Sequence, residues 1–201
     1  MADTGAPWNL PYVEPSDLVR DYPAADEAQA LAVAAGLSAA GGLVAVKSAI
    51  FTGVQTNSTG SGANFAVTDL TLTHEVADAA NSVVLYAIVN GSSDTSTTRV
   101  SFAGAIAAGG SLLTLGGAAA DRRRVATATT GSSSFPNLSI HSVPLLAVHA
   151  PGVTTSVTYD VRVINATANT QTLYVNRGTG DGADANNVRA ASILVLMEVK
   201  V

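Results

Sequence analysis

After Leu43 the chain alternates apolar and polar residues in short runs, a period that sends side chains to opposite faces of a β-strand. The stretch from Val157 to Val163 shows it well, because every second residue is apolar and the residues between are Thr, Asp and Arg. Clusters of Gly, Ser, Thr and Asn separate the runs, as turns do. Eight or nine such strands predict a mainly β domain, an antiparallel sandwich or barrel, and we expect a jelly-roll-like β-sandwich.

Three of these runs also indicate how each strand is covered. Residues Val83–Val89 are apolar on both faces, which predicts a central strand with a layer packed on either side. Pro144 interrupts the run from Ile140 to Val148, so this strand should lie at a sheet edge or bend there. The last run places Ile193, Val195, Met197, Val199 and Val201 on one face, and Leu194, Leu196, Glu198 and Lys200 on the other.

An Ala-rich segment before Leu43 has the pattern of a helix. Pro23 suits its first position, Asp26 and Glu27 complement the dipole of its first turn, and Gly41-Gly42 ends it. About 17 residues of helix span roughly 26 Å. A lone helix of this length is marginal in water, so it needs neighbours, either other copies in a short bundle or the β domain. The residues expected to pack this oligomerisation helix are Ala28, Leu31, Val33 and Leu37.

The first residues form an arm rich in proline and large apolar side chains. Proline at 7, 11 and 15 favours extended chain over helix. Large apolar side chains on such a segment must pack on something, either their own domain or another protein. We expect docking onto a particle, through Trp8, Leu10, Pro11 and Tyr12. The chain is thus predicted to divide into an attachment arm and oligomerisation helix, 1–43, and a β-sandwich head, 44–201.

Composition narrows the range of partners. Charged residues make up 12% of the chain and the net charge is −5, whereas nucleic-acid binding needs clustered Lys and Arg. The uncharged stretch from Ala28 to Val46 is long enough to cross a bilayer, but its Ala content and internal Gly pair argue against insertion. A neutral surface of Ser, Thr, Asn and Gly fits burial between subunits. We therefore expect neither nucleic acid nor membrane insertion.

No motif for catalysis or cofactor binding occurs in the chain. The nucleophile elbow, the phosphate-binding loop and the dinucleotide fingerprint are absent, and there is no cysteine. His141 and His149 fall in one predicted strand roughly 26 Å apart, too far to share a metal, and His74 ends another strand. We expect all three histidines to be structural or surface residues, and the protein to be a non-enzyme without a cofactor.

Two loops are candidates for binding at the surface. The stretch from Gly178 to Asn187 carries Asp and Asn oxygens of the kind that bind Ca²⁺, although its spacing is not that of an EF-hand and turn chemistry also favours these residues. A second loop, Gly116 to Arg124, holds the one basic cluster of the chain. If the protein recognises a host, these loops are the expected sites, through Asp121, Arg122, Arg123, Arg124, Asp181 and Asp184.

Two stretches resemble tail and fibre proteins of double-stranded DNA bacteriophages, especially those of actinobacterial hosts. The first is PWNLPYVEPSDLVRDYPAADEAQALAVAAGL, Pro7 to Leu37, which is similar to the N-terminal attachment module of minor tail proteins. The second is LYVNRGTGDGADANNVRAASILVLMEVKV, Leu173 to Val201, which looks like the end of phage β-sandwich head domains. Together they cover about 60 residues, and neither is a catalytic signature.

The resemblance implies a virion structural protein, assembled in the host cytoplasm as a homotrimer, with its N-terminus on the particle and its β head outward. A stalk of one short helix implies a stubby spike or short fibre. The implied partners are other virion proteins and a host cell-surface glycan or receptor. Two alternatives remain open. One is a capsid decoration or head-fibre protein without a receptor role, and the other is a carbohydrate-binding or glycan-cleaving module, which few aromatic residues and no carboxylate pair at defined spacing argue against.

Overall fold

The computed structural model of the protein describes residues 2–3, 11–12, 42–94, 102–117, 124–129, 140–180 and 189–201. The chain separates into two compact units, Met1–Leu43 with Lys200–Val201, and Val44–Val199. In the first unit two short antiparallel strands are described, β1 (Ala2–Asp3) and β2 (Pro11–Tyr12). The predicted helix lies outside the described residues, which themselves contain no helix.

From residue 43 onward the described residues form two antiparallel sheets, so the prediction of a mainly β, antiparallel domain is confirmed. Two of the strands, β8 and β9, are too short for alternation to reveal them in the sequence. The strands are β3 (Leu43–Phe51), β4 (Gln55–Thr59), β5 (Asn64–Glu75), β6 (Ser82–Ser93), β7 (Phe102–Ala108), β8 (Ser111–Leu112), β9 (Thr127–Thr129), β10 (His141–His149), β11 (Ser156–Ile164), β12 (Gln171–Val175) and β13 (Ser192–Val199).

The larger sheet is organised along β6. It has the order β3-β13-β6-β12-β4, and β10 also pairs with β6. Both β12 and β13 run antiparallel to β6, with Val175 opposite Gly91 and Ile193 opposite Ile88. Strands β12 and β13 therefore lie end to end along the same side of β6 with a gap between them, and we call the two together the strand line. Strand β10 pairs with β6 alone among the described strands, so of the two outcomes predicted from Pro144, a sheet edge or a bend, the structure shows the edge.

The smaller sheet has the order β5-β11-β7-β8, with β9 also paired to β7. Strand β5 carries an irregularity opposite Asp160–Arg162, where Asp69 has a φ of 59°. Between the pairs Asp160–Thr71 and Arg162–Ala66, β11 advances by two residues and β5 by five, so β5 carries three extra residues, which interrupt the ladder and bend the strand. Gln55 of the larger sheet satisfies two backbone groups at this bulge, because its side-chain amide accepts from Thr68 N and donates to Ala66 O.

The core lies between the inner faces of the two sheets. In β6, Val83, Leu85, Ala87 and Val89 alternate inward, and the facing strand β11 contributes its own alternate residues, Tyr159, Val161 and Val163. The inner face of β13 adds Leu194 and Leu196. Alternation in the sequence thus translates directly into burial, because successive side chains of a strand point to opposite faces.

A second, smaller apolar cluster covers part of the outer face of the smaller sheet. Ala103 and Ala105 of β7 and Ile164 of β11 point away from the main core. Leu112, Leu115 and other residues from the chain that follows β7 pack over them. The small alanines of β7 allow this chain to lie close to the sheet.

Candidate functional site

A buried carboxylate connects the two sheets. Glu198 is on the inner face of β13 and is 0% exposed. Its Oε2 accepts from His74 Nε2 of β5 at 2.6 Å, and its Oε1 accepts from Asn81 Nδ2 at 2.6 Å and Ala77 N at 2.9 Å. Burial by itself raises the pKa of Glu198, but these hydrogen bonds and the nearby imidazole outweigh burial and hold the pKa below its ordinary value. The carboxylate is therefore ionised at neutral pH.

The His74–Glu198 pair has the residue types of an acid–base catalyst, but its surroundings are closed. His74 is 4% exposed, and both carboxylate oxygens of Glu198 are already occupied by donors of the chain. The Nδ1 atom of His74 is buried and has no partner among the described residues. A substrate has no path to the pair in this conformation, so its geometry fits a cross-sheet contact that stabilises the fold.

A second polar contact joins the sheets at β10 and β11. His149 Nδ1 lies 3.0 Å from the hydroxyl oxygen of Tyr159, and the two rings meet edge to face. Burial, and next the negative charge of Glu198, raise the pKa of Tyr159 to about 12. Burial lowers the pKa of His149. Both side chains are thus held in their neutral forms.

A third polar cluster lies where the strand line beside β6 is interrupted, and we call it the joint. Asn176, with a φ of 62°, turns the chain away after β12, and its Nδ2 donates to Phe51 O and Gly53 O in the gap between β3 and β4. Ser192 resumes the line, donating to Asn176 Oδ1 and accepting from Asn90 N. Three of these bonds satisfy backbone groups at the interruption, Asn90 N, Phe51 O and Gly53 O, and the fourth joins the side chains of Ser192 and Asn176.

We call residues 177–190, which connect the two ends of the joint, the excursion; the structure describes residues 177–180 and 189–190 of it. An antiparallel bridge between Arg177 and Arg189 closes its base, and Ala190 N donates to Asn176 O. The Arg177 guanidinium lies over the ring of Tyr174, 4.5 Å from the ring centroid. The excursion is therefore not the turn of a hairpin between β12 and β13, since both strands pair with β6. Asp181 and Asp184, the candidate receptor residues of this loop, lie outside the described residues.

The other predicted receptor loop is also fixed at its base. Arg124 Nε donates to Gly116 O at 2.8 Å, and Gly116 N donates to Val125 O. Arg124 is exposed but engaged in closing the loop. Its neighbours Asp121, Arg122 and Arg123 lie outside the described residues.

The predicted attachment and oligomerisation residues fall mostly outside the described part of the chain. Of the four arm residues, Pro11 and Tyr12 form β2, opposite Asp3 and Ala2. The remaining predicted residues, Trp8, Leu10, Ala28, Leu31, Val33 and Leu37, lie outside it. Their roles stay predictions.

The described residues offer neither a metal site nor a membrane helix. No group of three or more His, Asp or Glu side chains lies together among them. In that same part of the chain no helix is long and apolar enough to span a bilayer. His141 and His149, at the two ends of β10, are separated by the length of that strand, as their spacing predicts.

The outer faces of the two sheets differ in chemistry. On the smaller sheet, exposed positions of β5 and β11 are polar, such as Thr71, Thr73 and Thr158. On the larger sheet, most of the corresponding positions of four neighbouring strands are apolar and exposed or half-buried, with Ser48, Ser82 and Ser142 as polar exceptions. We call this surface the apolar outer face, and it consists of Val44, Val46, Ile50, Val84, Tyr86, Ile88, Pro144, Leu146, Val148, Ile193, Val195, Met197 and Val199.

Sequence reasoning placed the strands of this surface but missed the polar clusters. Glu198 was assigned to the same face as Leu194 and Leu196, and an acidic residue on the apolar face of a strand is a signal of a buried, paired carboxylate. Its partner His74 is 124 residues away, and no local pattern connects them. Comparison with family models and with curated proteins finds no match to this chain.

Proposed function

We propose that the protein is a non-enzymatic structural subunit of a phage virion, a short trimeric fibre or spike. Residues 1–43 would attach it to the particle and hold the trimer together, and residues 44–201 would form a jelly-roll-like sandwich head. The phage resemblance of Pro7–Leu37 and Leu173–Val201 supports this proposal from the sequence. The virion is thus the proposed location, with other virion proteins as partners.

One structural observation carries the proposal, the apolar outer face. Leu146 and Val148 are 61% and 62% exposed, and Ile50 is 59% exposed. A contiguous apolar surface on an antiparallel sheet marks an interaction site, because a free domain would place polar residues there. In a subunit of a permanent assembly, such a surface is covered by neighbouring subunits.

The proposal that the protein is not an enzyme is supported by how its polar groups are used. The groups closest in type to catalytic residues, His74 and Glu198, are buried and bonded to each other, and both carboxylate oxygens of Glu198 accept from donors of the chain. The joint likewise uses Asn90, Asn176 and Ser192 to satisfy the backbone. Host adhesion is proposed for the two loops with fixed bases, 116–124 and 178–187, since loops held by a rigid scaffold commonly bind partners.

Immunogold labelling of intact virions with an antibody against residues 44–201 tests the proposal. Label at the tail is expected for a fibre that contacts the host. Label distributed over the capsid would favour the head-fibre or decoration alternative and remove the reason for a receptor search. Virions without label, with the antibody shown to bind the isolated protein, would overturn the virion proposal. Binding to a glycan array would then favour the carbohydrate-binding alternative.

A further inference from the structure

The apolar outer face is continuous across four strands. Tyr86 of β6 has Leu146 of β10 on one side and Val195 of β13 on the other, in direct register. The next row along the strands consists of Val148, Val84 and Met197, and the row before it of Pro144, Ile88 and Ile193. Strand β3 extends the surface beyond β13.

Strand β6 has the composition of a strand covered on both faces, but the described residues cover only one. Its inner residues Val83, Leu85, Ala87 and Val89 are 0% exposed. Its outer residue Tyr86, at the middle of the surface, is 39% exposed. The sequence pattern therefore anticipates a second layer that the described part of this chain does not provide.

We infer that the second layer is another copy of this chain, whose apolar outer face packs sheet on sheet against this one. Two identical faces packed on each other form a two-fold pair, whereas a trimer needs a three-fold arrangement, so this contact goes beyond the proposed function and is separate from the trimer contacts proposed for residues 1–43. Stacked sheets pack about 10 Å apart, with the side chains of both faces between them. Leu146, Val148 and Tyr86 are exposed on this face and would contribute their side chains to such a layer.

The size of the surface suits the apolar centre of an interface between subunits. Four strands spaced about 4.8 Å apart and seven residues of about 3.4 Å each cover roughly 19 by 24 Å, or about 450 Å² of flat area. A standard interface takes about 800 Å² of accessible surface from each partner, apolar at its centre and polar at its rim. Ser48 and Ser82, at the margins of the face, supply polar positions for that rim.

Charge favours a second copy over a different protein as the occupant. The described residues of the face include no charged side chain, although the chain has a net charge of −5. Two such faces meet without bringing like charges together, in spite of the mutual repulsion of the whole subunits. The face offers a different protein no charged group by which that partner could be distinguished from other apolar surfaces.

The edge strand β10 of the larger sheet is poorly suited to pairing with a strand of another subunit, which favours association through the apolar outer face instead. Strand β10 is bonded on one side only among the described strands, so its other side is open to a further strand. Pro144 lies within β10 and has no N–H to donate to an added strand. Edge-to-edge addition is thereby weakened, whereas sheet-on-sheet packing is unaffected.

The first test measures the association of the full chain by sedimentation equilibrium. Leu146→Lys places a charge in the middle row of the face, and Ser156→Lys, on the outer face of the smaller sheet, is the matched control. We expect the wild type and Ser156→Lys to associate, and Leu146→Lys to raise the dissociation constant by at least about 100-fold, because an unpaired ammonium would be buried. Circular dichroism checks that both variants are folded.

The second test uses the absence of cysteine from the chain. Leu146→Cys and Ser156→Cys each introduce a single thiol, whose rate of labelling by a maleimide reports its accessibility. We expect the thiol at 146 to become protected as protein concentration rises, and the thiol at 156 to label at the same rate throughout. Protection that does not depend on concentration would mean that the chain covers its own face, and would overturn the inference.

The outcomes separate this inference from the proposed function. An oligomer that survives Leu146→Lys but is lost on deletion of residues 1–43 would overturn the role of the face and leave the proposed trimer intact. A wild-type chain that stays monomeric with an unprotected thiol at 146 would overturn the second copy as occupant. Immunogold label on virions would then still support a virion subunit, with a different virion protein on the face.

Discussion

Replacing Glu198 with Gln should show how much the buried cross-sheet contact stabilises the fold. The carboxylate accepts three hydrogen bonds, from His74, Asn81 and Ala77 N. An amide has one acceptor oxygen, so at least one of these donors would face an NH₂ group or lose its partner. A buried donor without an acceptor costs about 1–3 kcal/mol, and the remaining bonds lose their charge assistance. We expect Glu198→Gln to lower the free energy of unfolding by about 3 kcal/mol, and Tm by roughly 10 °C.

The pH dependence of stability gives a second, independent readout. The pKa of Glu198 in the folded protein lies below its ordinary value of 4.5, so the folded state favours the ionised form. The resulting stabilisation is fully present above the ordinary pKa and is lost as the pH falls through the folded-state value. The difference between wild type and Glu198→Gln should therefore be largest near neutral pH and shrink below about pH 4.5.

Urea unfolding followed by circular dichroism, at one protein concentration because association adds to stability, measures both effects. Glu75→Gln is the matched control, since Glu75 follows His74 on β5 but is exposed, and it should change stability by less than about 0.5 kcal/mol. Equal unfolding midpoints for the Glu198 and Glu75 variants would refute the reasoning. So would a difference from wild type that stays constant between pH 7 and pH 3.

Two further predictions concern the joint and the buried tyrosine. Asn176→Gly removes the amide contacts but keeps a residue that tolerates the φ of 62°, whereas Asn176→Ala removes the amide contacts and also strains the backbone. In urea unfolding, the Ala variant should therefore be less stable than the Gly variant by about 1 kcal/mol. Equal stabilities would argue against backbone strain at this position. Because the pKa of Tyr159 is raised to about 12, the folded state favours the neutral phenol, and its stabilisation is present below the ordinary pKa of 10.0 and lost as the pH rises through 12. Ultraviolet titration should show one late phenol in the wild type that is missing in Tyr159→Phe, and its persistence in the variant would contradict the assignment.

The parts of the fold that follow from local pattern were predictable from the sequence. Alternation over Val157–Val163 and over β13 determines which side chains face the core, because the period of two is a property of the strand itself. The edge position of β10 followed from Pro144, a residue that lacks the donor a central strand needs. These expectations required no knowledge of which strands pair.

The parts that depend on distant pairing were not predictable. The bond between Asn90 N and Ser192 joins residues 102 apart, and the interrupted strand line exists only once β12 and β13 both lie against β6. The Gly, Asp and Asn residues around 178–187 are typical of turns in general, and they do not distinguish the turn of a hairpin from a longer connection. In the sequence, the apolar outer face is visible only strand by strand, as apolar residues on both faces of β6 and of β13. Its extent across four strands depends on the pairing register.

Because of the joint, the hydrogen bonding of the larger sheet does not depend on how long the excursion is. Asn176 and Ser192 are hydrogen-bonded to each other and to Asn90 of β6. These bonds complete the hydrogen bonding beside β6 without any contribution from the residues between Asn176 and Ser192. Each doubling of a flexible loop costs only about 0.6 kcal/mol in closure entropy. We expect that a peptide inserted between residues 178 and 188 leaves the register of the described strands unchanged, because the hydrogen bonds of Asn176 and Ser192 do not depend on it.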